Sequence, residues 1–171
     1  MRQNIWHRMD ALSRQLTPFL LTFFLVVLSV LALHVPGWAR VAPLLSLLAI
    51  YHWAVYRLDL MPGYAVFTIG FLQDVLSGTP MGVLTLVYLI AYSVVVSQQR
   101  YLMGKPFLVV WLGFLLVSAG AMALAWVLSS VLIGGVIEPT ALFYQYLLGI
   151  GLYPVLAWMF LVWQTKVLRS V

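Results

Sequence analysis

The stretch that decides the fold reads Gly70-Phe71-Leu72-Gln73-Asp74-Val75-Leu76-Ser77-Gly78-Thr79-Pro80-Met81-Gly82. It places a carboxylate, Asp74, at the end of a strongly apolar run, and a turn of small residues and proline separates it from the next run. A charged group inside a membrane-spanning segment costs at least about 2.5 kcal/mol, so one that persists there indicates a functional site. The alternative is that Asp74 lies at the water interface or accepts hydrogen bonds from backbone N–H groups of the turn. The sequence leaves both interpretations open.

The composition around this stretch is that of an integral membrane protein. The 171 residues are 64% hydrophobic and 8% charged, with a mean hydropathy of +1.06, whereas globular chains are roughly half apolar and a quarter charged. The absence of cysteine excludes disulfides, thiolate metal sites and a cysteine nucleophile. The net charge is +5, but the lysines and arginines are scattered singly at the ends of apolar runs. This pattern is typical of membrane anchors and not of a nucleic-acid-binding stripe.

Six apolar runs predict six transmembrane helices in one domain over residues 1–171. The runs cover about 17–35, 41–56, 62–76, 81–98, 107–133 and 141–164. A helix that crosses the hydrocarbon core needs about 20 residues, so the second and third runs are short and the fifth is long enough to tilt. We therefore expect a compact all-α, six-helix bundle in which some helices shelter others, with the first run retained as a span.

The distribution of basic residues predicts the orientation. If the N-terminus is cytoplasmic, the outer pieces hold Arg40 alone, and the cytoplasmic pieces hold the other eight lysines and arginines. These eight are Arg2, Arg8, Arg14, Arg57, Arg100, Lys105, Lys166 and Arg169. The positive-inside rule then predicts that both termini are cytoplasmic and that the turn after Asp74 faces outward.

The third predicted helix carries a face of small residues. Gly63, Gly70 and Ser77 recur every seven residues, and Asp74 follows Gly70 by four, so all four share one face. Such a face suits close helix packing, and Asp74 is expected to point into protein. Small-residue stripes often do no more than pack inside the bundle. The fifth predicted helix offers a comparable stripe as a candidate packing partner, inside the bundle or in another subunit: Ser118, Ala121, Ala125 and Ser129.

The junction of the second and third predicted helices contains Arg57, Asp59 and Pro62. Arg57 and Asp59 either pair with each other or cap a helix end, and an Asp before a proline-started helix is a reasonable cap. His34 and His52 have no second histidine at metal-ligand spacing. No set of nucleophile, base and orienting group can be assembled, and no phosphate-binding loop is present. We therefore predict no enzymatic activity, no metal and no cofactor.

Two half-motifs together resemble the family of the bacterial rod shape-determining protein MreD. They are Tyr56-Arg57-x-Asp59-x-x-Pro62 and Gly70-x-Leu72-Gln73-Asp74-x-Leu76-Ser77-Gly78-x-Pro80-x-Gly82, and they span 27 positions. The length, the six apolar runs and the lack of an inserted soluble domain are similar too. The chain departs from the family at Leu58, where proline is common, and at Leu84, where many members carry a polar residue.

The resemblance implies a non-enzymatic component of the cell-elongation machinery in the bacterial cytoplasmic membrane. Such proteins associate with the single-span protein MreC and with it link MreB filaments to the synthases of lateral peptidoglycan. The resemblance also implies a partner-binding or structural role for the motif residues, which are Arg57, Asp59, Pro62, Gly70, Gln73, Asp74, Ser77, Gly78, Pro80 and Gly82.

Two other functions are alternatives to this one. The family looks like the substrate-binding membrane components of energy-coupling-factor transporters, which implies an outward-facing cavity near Asp74 and a small-molecule-binding role as the alternative. A membrane enzyme acting on a lipid-linked precursor would need a catalytic set that the sequence lacks. Membrane lipids are expected partners and nucleic acid is not. The sequence leaves the oligomeric state, with a homodimer as one option, open.

Overall fold

The computed structural model describes residue 24 and residues 45–58, 61–136 and 138–167, and the regular structure in these ranges is helical. The first predicted span, over 17–35, lies outside the described residues apart from Phe24. Asp59 lies outside them as well. The number of six spans therefore stays a prediction.

The described ranges contain five α-helices. In chain order they are α1 Leu45–Tyr56, α2 Gly63–Ser77, α3 Val83–Leu102, α4 Phe107–Ile133 and α5 Thr140–Val167. Three segments are long and apolar enough to cross a membrane, namely all of α3, all of α4 and Leu142–Phe160 within α5. Helices α1 and α2, with 12 and 15 residues, are about 18 and 22 Å long, which is short of the roughly 30 Å hydrocarbon core.

Proline marks the start of three helices. Pro62, Pro106 and Pro139 directly precede the first residues of α2, α4 and α5. At this position the missing N–H costs nothing, because the first amides of a helix have no intrahelical acceptor. The Pro62 carbonyl accepts hydrogen bonds from the N–H groups of Ala65 at 2.9 Å and Val66 at 3.3 Å, which completes the first turn of α2.

Helix α1 forms the centre of the described bundle. All eleven residues from Leu45 to Val55 are buried, as expected for a helix with apolar residues on every side. It packs against α3, α4 and α5. On the side towards α4 the Tyr51 hydroxyl donates to the Val110 carbonyl at 2.8 Å, and the ring of Tyr51 meets that of Phe114 edge-on at 5.2 Å between centroids.

Helix α2 packs mainly against α3, the next helix in the chain. Within the described bundle the small-residue stripe on α4 is not the packing partner of α2, because α4 has its main contacts with α3, α5 and α1. Ser118, Ala121 and Ala125 are buried there. The reason lies in the connection, since the short segment 78–82 between α2 and α3 keeps these two helices adjacent.

Candidate functional site

The site centres on Asp74, in the last turn of α2, which is 1% exposed. Its carboxylate accepts five hydrogen bonds. Oδ1 accepts from the Thr79 hydroxyl at 2.9 Å and from the Leu84 N–H at 2.9 Å. Oδ2 accepts from the N–H groups of Gly82 and Thr85, each at 3.0 Å, and from the Thr85 hydroxyl at 2.7 Å. A carboxylate has about four lone-pair sites, so these five donors saturate it.

The donors identify the role of the carboxylate, which is to cap α3. The first amides of a helix lack intrahelical acceptors and form the positive end of its dipole. Residue 82, which precedes α3, is a glycine and has no side chain with which to cap it. Asp74 therefore accepts hydrogen bonds from the N–H groups of Gly82, Leu84 and Thr85. The Pro80 carbonyl accepts the hydrogen bond from the Val83 N–H at 3.2 Å. Of the two interpretations that the sequence left open, these contacts match the second.

Gly70 brings the two helices close enough for this cap. A Cβ atom at Gly70 would lie 2.6 Å from Thr85 Cα and 3.2 Å from Thr85 N. Both of these are backbone atoms, so any side chain at residue 70 would push α3 away. Asp74 lies one turn further along the same side of α2. Gly70 and Asp74 thus fix the position of the same residue, Thr85.

The turn between the helices depends on two glycines. Gly78 ends α2 with φ 67° and Gly82 precedes α3 with φ 94°, a left-handed conformation that other residues adopt only at a cost. Between them Met81 is 72% exposed. The carboxylate therefore lies inside the turn, and the outer surface of the turn is exposed at Met81.

A second set of polar residues, centred on Gln73, joins three helices in the interior. Gln73 is 1% exposed. Its Nε2 donates to the Ser77 hydroxyl at 2.8 Å, and its Oε1 accepts from the Ser46 hydroxyl at 3.4 Å. The oxygens of Ser46 and Tyr88 are 2.7 Å apart. These four residues, the Gln73 network, connect α1, α2 and α3 by hydrogen bonds, and of the four only Ser77 is partly exposed.

The two half-motifs do not form one site. Pro62 lies at the start of α2 and Asp74 near its end, and twelve residues of helix separate them by about 18 Å. Arg57 follows α1 and its N–H donates to the Trp53 carbonyl at 2.8 Å. Its pairing with Asp59 and the alternative, a helix-capping role, both stay predictions, because Asp59 is outside the described residues.

Several residues of the site were not singled out from the sequence. Thr79 and Thr85 supply hydroxyl donors to Asp74, and Ser46 and Tyr88 complete the Gln73 network. The available signal was weak: each is a polar residue beside or inside an apolar run. Because single polar residues in such runs often bond to their own helix, this signal does not name a partner.

Among the residues that the structure describes, cavities lie between neighbouring helices. One, of about 410 Å³, separates α3 from α4, and one of about 290 Å³ separates α4 from α5. Residues 74–82 line neither of them. The outward-facing cavity expected beside Asp74 is thus not one of these two.

The fold and the site define a helical membrane protein in which a buried acidic group stabilises a turn between helices. Residues 9–166 match the family model of the rod shape-determining protein MreD, and the chain belongs to that family. Its role is accordingly in determining rod shape, in a family of shape-determining structural proteins. Searches of curated proteins and of solved structures gave no match.

Proposed function

We propose that the protein is a non-enzymatic scaffold of the cell-elongation machinery in the cytoplasmic membrane. It has six spans with both termini in the cytoplasm, binds MreC, and helps couple MreB filaments to lateral peptidoglycan synthesis. Membership of the MreD family supports the shape-determining role. The partner and the coupling rest on the resemblance of the motif to that family.

The observation that carries the proposal is the saturation of Asp74 by donors of its own chain. A carboxylate with no lone pair to spare holds the turn in shape and does not contact a partner. This also removes the main reason for placing a small ligand at Asp74, as the transporter alternative requires. We therefore expect the motif residues to hold the shape of a docking surface, while other residues contact the partner.

The docking surface we propose is the outer face of α2 together with Met81. On this face, residues spaced three or four apart are exposed and apolar or aromatic: Tyr64, Phe67, Phe71 and Val75. The rings of Phe67 and Phe71 stack at 6.4 Å between centroids. In lipid, helices associate by close packing and not by a hydrophobic drive, so a surface held rigid from inside favours association with the single span of MreC.

The test is co-purification with MreC. We expect the double variant Phe67→Ala and Phe71→Ala to recover much less MreC than the unaltered protein. Phe143→Ala is the matched control, because Phe143 is an exposed aromatic residue on α5, away from the docking surface. Monodisperse elution of each variant establishes that it is folded. Equal recovery of MreC with both variants would place the interface elsewhere.

A further inference from the structure

The groove between α3 and α4 combines an apolar length with a polar end. It has a volume of about 410 Å³, and its lining extends from Val87 to Leu102 on α3 and from Gly113 to Leu124 on α4. Small residues, among them Ala91 and Gly120, leave the space open. Ile90, Val94 and Leu116 border it and are themselves exposed. The groove is therefore accessible from the lipid side.

The polar end lies beside the connection between the two helices. Gln98 is the one polar residue among the described residues that line the groove. At 3.6 residues per turn, Tyr101 projects about 60° to one side of Gln98, and the Lys105 Nζ lies 4.9 Å from the centre of the Tyr101 ring. Gln98, Tyr101 and Lys105 are all exposed. The charge distribution of the sequence predicts that this end is cytoplasmic.

We propose that this groove binds one anionic glycerophospholipid of the cytoplasmic leaflet. An acyl chain lies between α3 and α4, and the phosphate accepts hydrogen bonds from the Lys105 ammonium and the Gln98 amide. One lysine is complementary to the single negative charge of a phosphodiester. Basic sites beside gaps between helices on the cytoplasmic side are typical positions for anionic headgroups.

The length of the groove suits an acyl chain. The sixteen residues of α3 along the groove, Val87–Leu102, span about 22 Å from first to last, enough for a chain that reaches through one leaflet of roughly 15 Å.

The experiment measures lipid binding to the full chain after delipidation. The protein is titrated with phosphatidylglycerol or phosphatidylcholine, and the bound fraction is read by native mass spectrometry. We expect phosphatidylglycerol to bind more tightly, and Lys105→Gln to reduce its affinity roughly fivefold, the effect of one lysine near an anionic surface. Arg100→Gln removes the same charge from an exposed position on α3 about 200° around the helix from Gln98, and is expected to leave the affinity unchanged.

A second pair of variants tests the apolar length. A Cβ at Gly120 meets no atom within 4 Å, so Gly120→Leu fills the groove without a backbone clash and is expected to abolish retention of either lipid. Gly151→Leu is the control, since Gly151 on α5 is equally open and lies outside the groove.

The proposal is overturned if Lys105→Gln and Arg100→Gln act alike, or if Gly120→Leu retains lipid as Gly151→Leu does. Retained lipid together with loss of a co-expressed single-span partner in Gly120→Leu would assign the groove to a protein helix instead. An equal affinity of the unaltered protein for the two lipids would remove the headgroup site.

Discussion

Thr85 is bound to Asp74 twice, through its N–H at 3.0 Å and its hydroxyl at 2.7 Å, and both donate to Oδ2. Eleven residues separate the two in the chain, so this pair forms only when the turn has reversed the chain. The cap of α3 and the pairing of α2 with α3 are therefore one structural event. A substitution at Asp74 should therefore destabilise the packing of α2 against α3 as well as the cap of α3.

Asp74→Ala is expected to lower the free energy of unfolding by about 3 kcal/mol or more. The change leaves the buried N–H groups of Leu84 and Thr85 without their acceptor, and each such loss costs about 1 to 3 kcal/mol. Thr79→Val is the comparison, because it removes a single donor to the same carboxylate and should cost about 1 kcal/mol. Reversible unfolding in mixed micelles measures both. An Asp74→Ala variant as stable as Thr79→Val would contradict the capping role.

Gly70→Ala is expected to destabilise the protein by about 1 to 3 kcal/mol, the usual cost of overpacking. Its new Cβ would lie 2.6 Å from Thr85 Cα, which only a shift of α3 can relieve. Gly63→Ala is the same substitution on the same helix, and there the nearest atom, Tyr92 Cε1, is 4.0 Å away. We expect Gly63→Ala to be neutral or slightly stabilising, because alanine favours helix over glycine. Thermal unfolding in detergent distinguishes the two, and equal midpoints would refute the close approach.

The sequence predicts those features that depend on near neighbours. Proline before a helix is a local signal, and α4 runs from Phe107 to Ile133, the same limits as its apolar run. The spacing of four between Gly70 and Asp74 predicts that the carboxylate points into protein, and Asp74 is 1% exposed.

Features that depend on tertiary packing were not predictable in this way. The five donors to Asp74 lie five to eleven residues further along the chain, and they reach it only through the turn. Nothing in the composition of α1 distinguishes a central helix from a lipid-facing one, since both are apolar all round. The choice of α3 over α4 as the partner of α2 follows from the short connection, which helical spacing does not encode.

The bond between Ser46 and Tyr88 should show measurable coupling. Ser46→Ala and Tyr88→Phe each leave the other oxygen short of a buried partner, and each is expected to cost about 1 to 2 kcal/mol. The double variant removes both polar groups, so its cost should be smaller than the sum of the single costs by about 1 kcal/mol. A double-mutant cycle on unfolding free energies measures this difference. Strict additivity would show that the 2.7 Å contact contributes no stability.

Tyr51 and Gly113 provide a test of packing between α1 and α4, in which a substitution at Tyr51 should reduce the cost of a substitution at Gly113. A Cβ at Gly113 would lie 2.6 Å from the Tyr51 hydroxyl, which is held in place by its bond to the Val110 carbonyl. Gly113→Ala should therefore destabilise the protein by about 1 to 3 kcal/mol, whereas Gly120→Ala, with open space around its Cβ, should not. Tyr51→Phe removes the obstructing oxygen, so Gly113→Ala should cost less in the Tyr51→Phe background than in the unaltered protein. If Gly113→Ala costs the same in both backgrounds, the hydroxyl is not what requires glycine at residue 113.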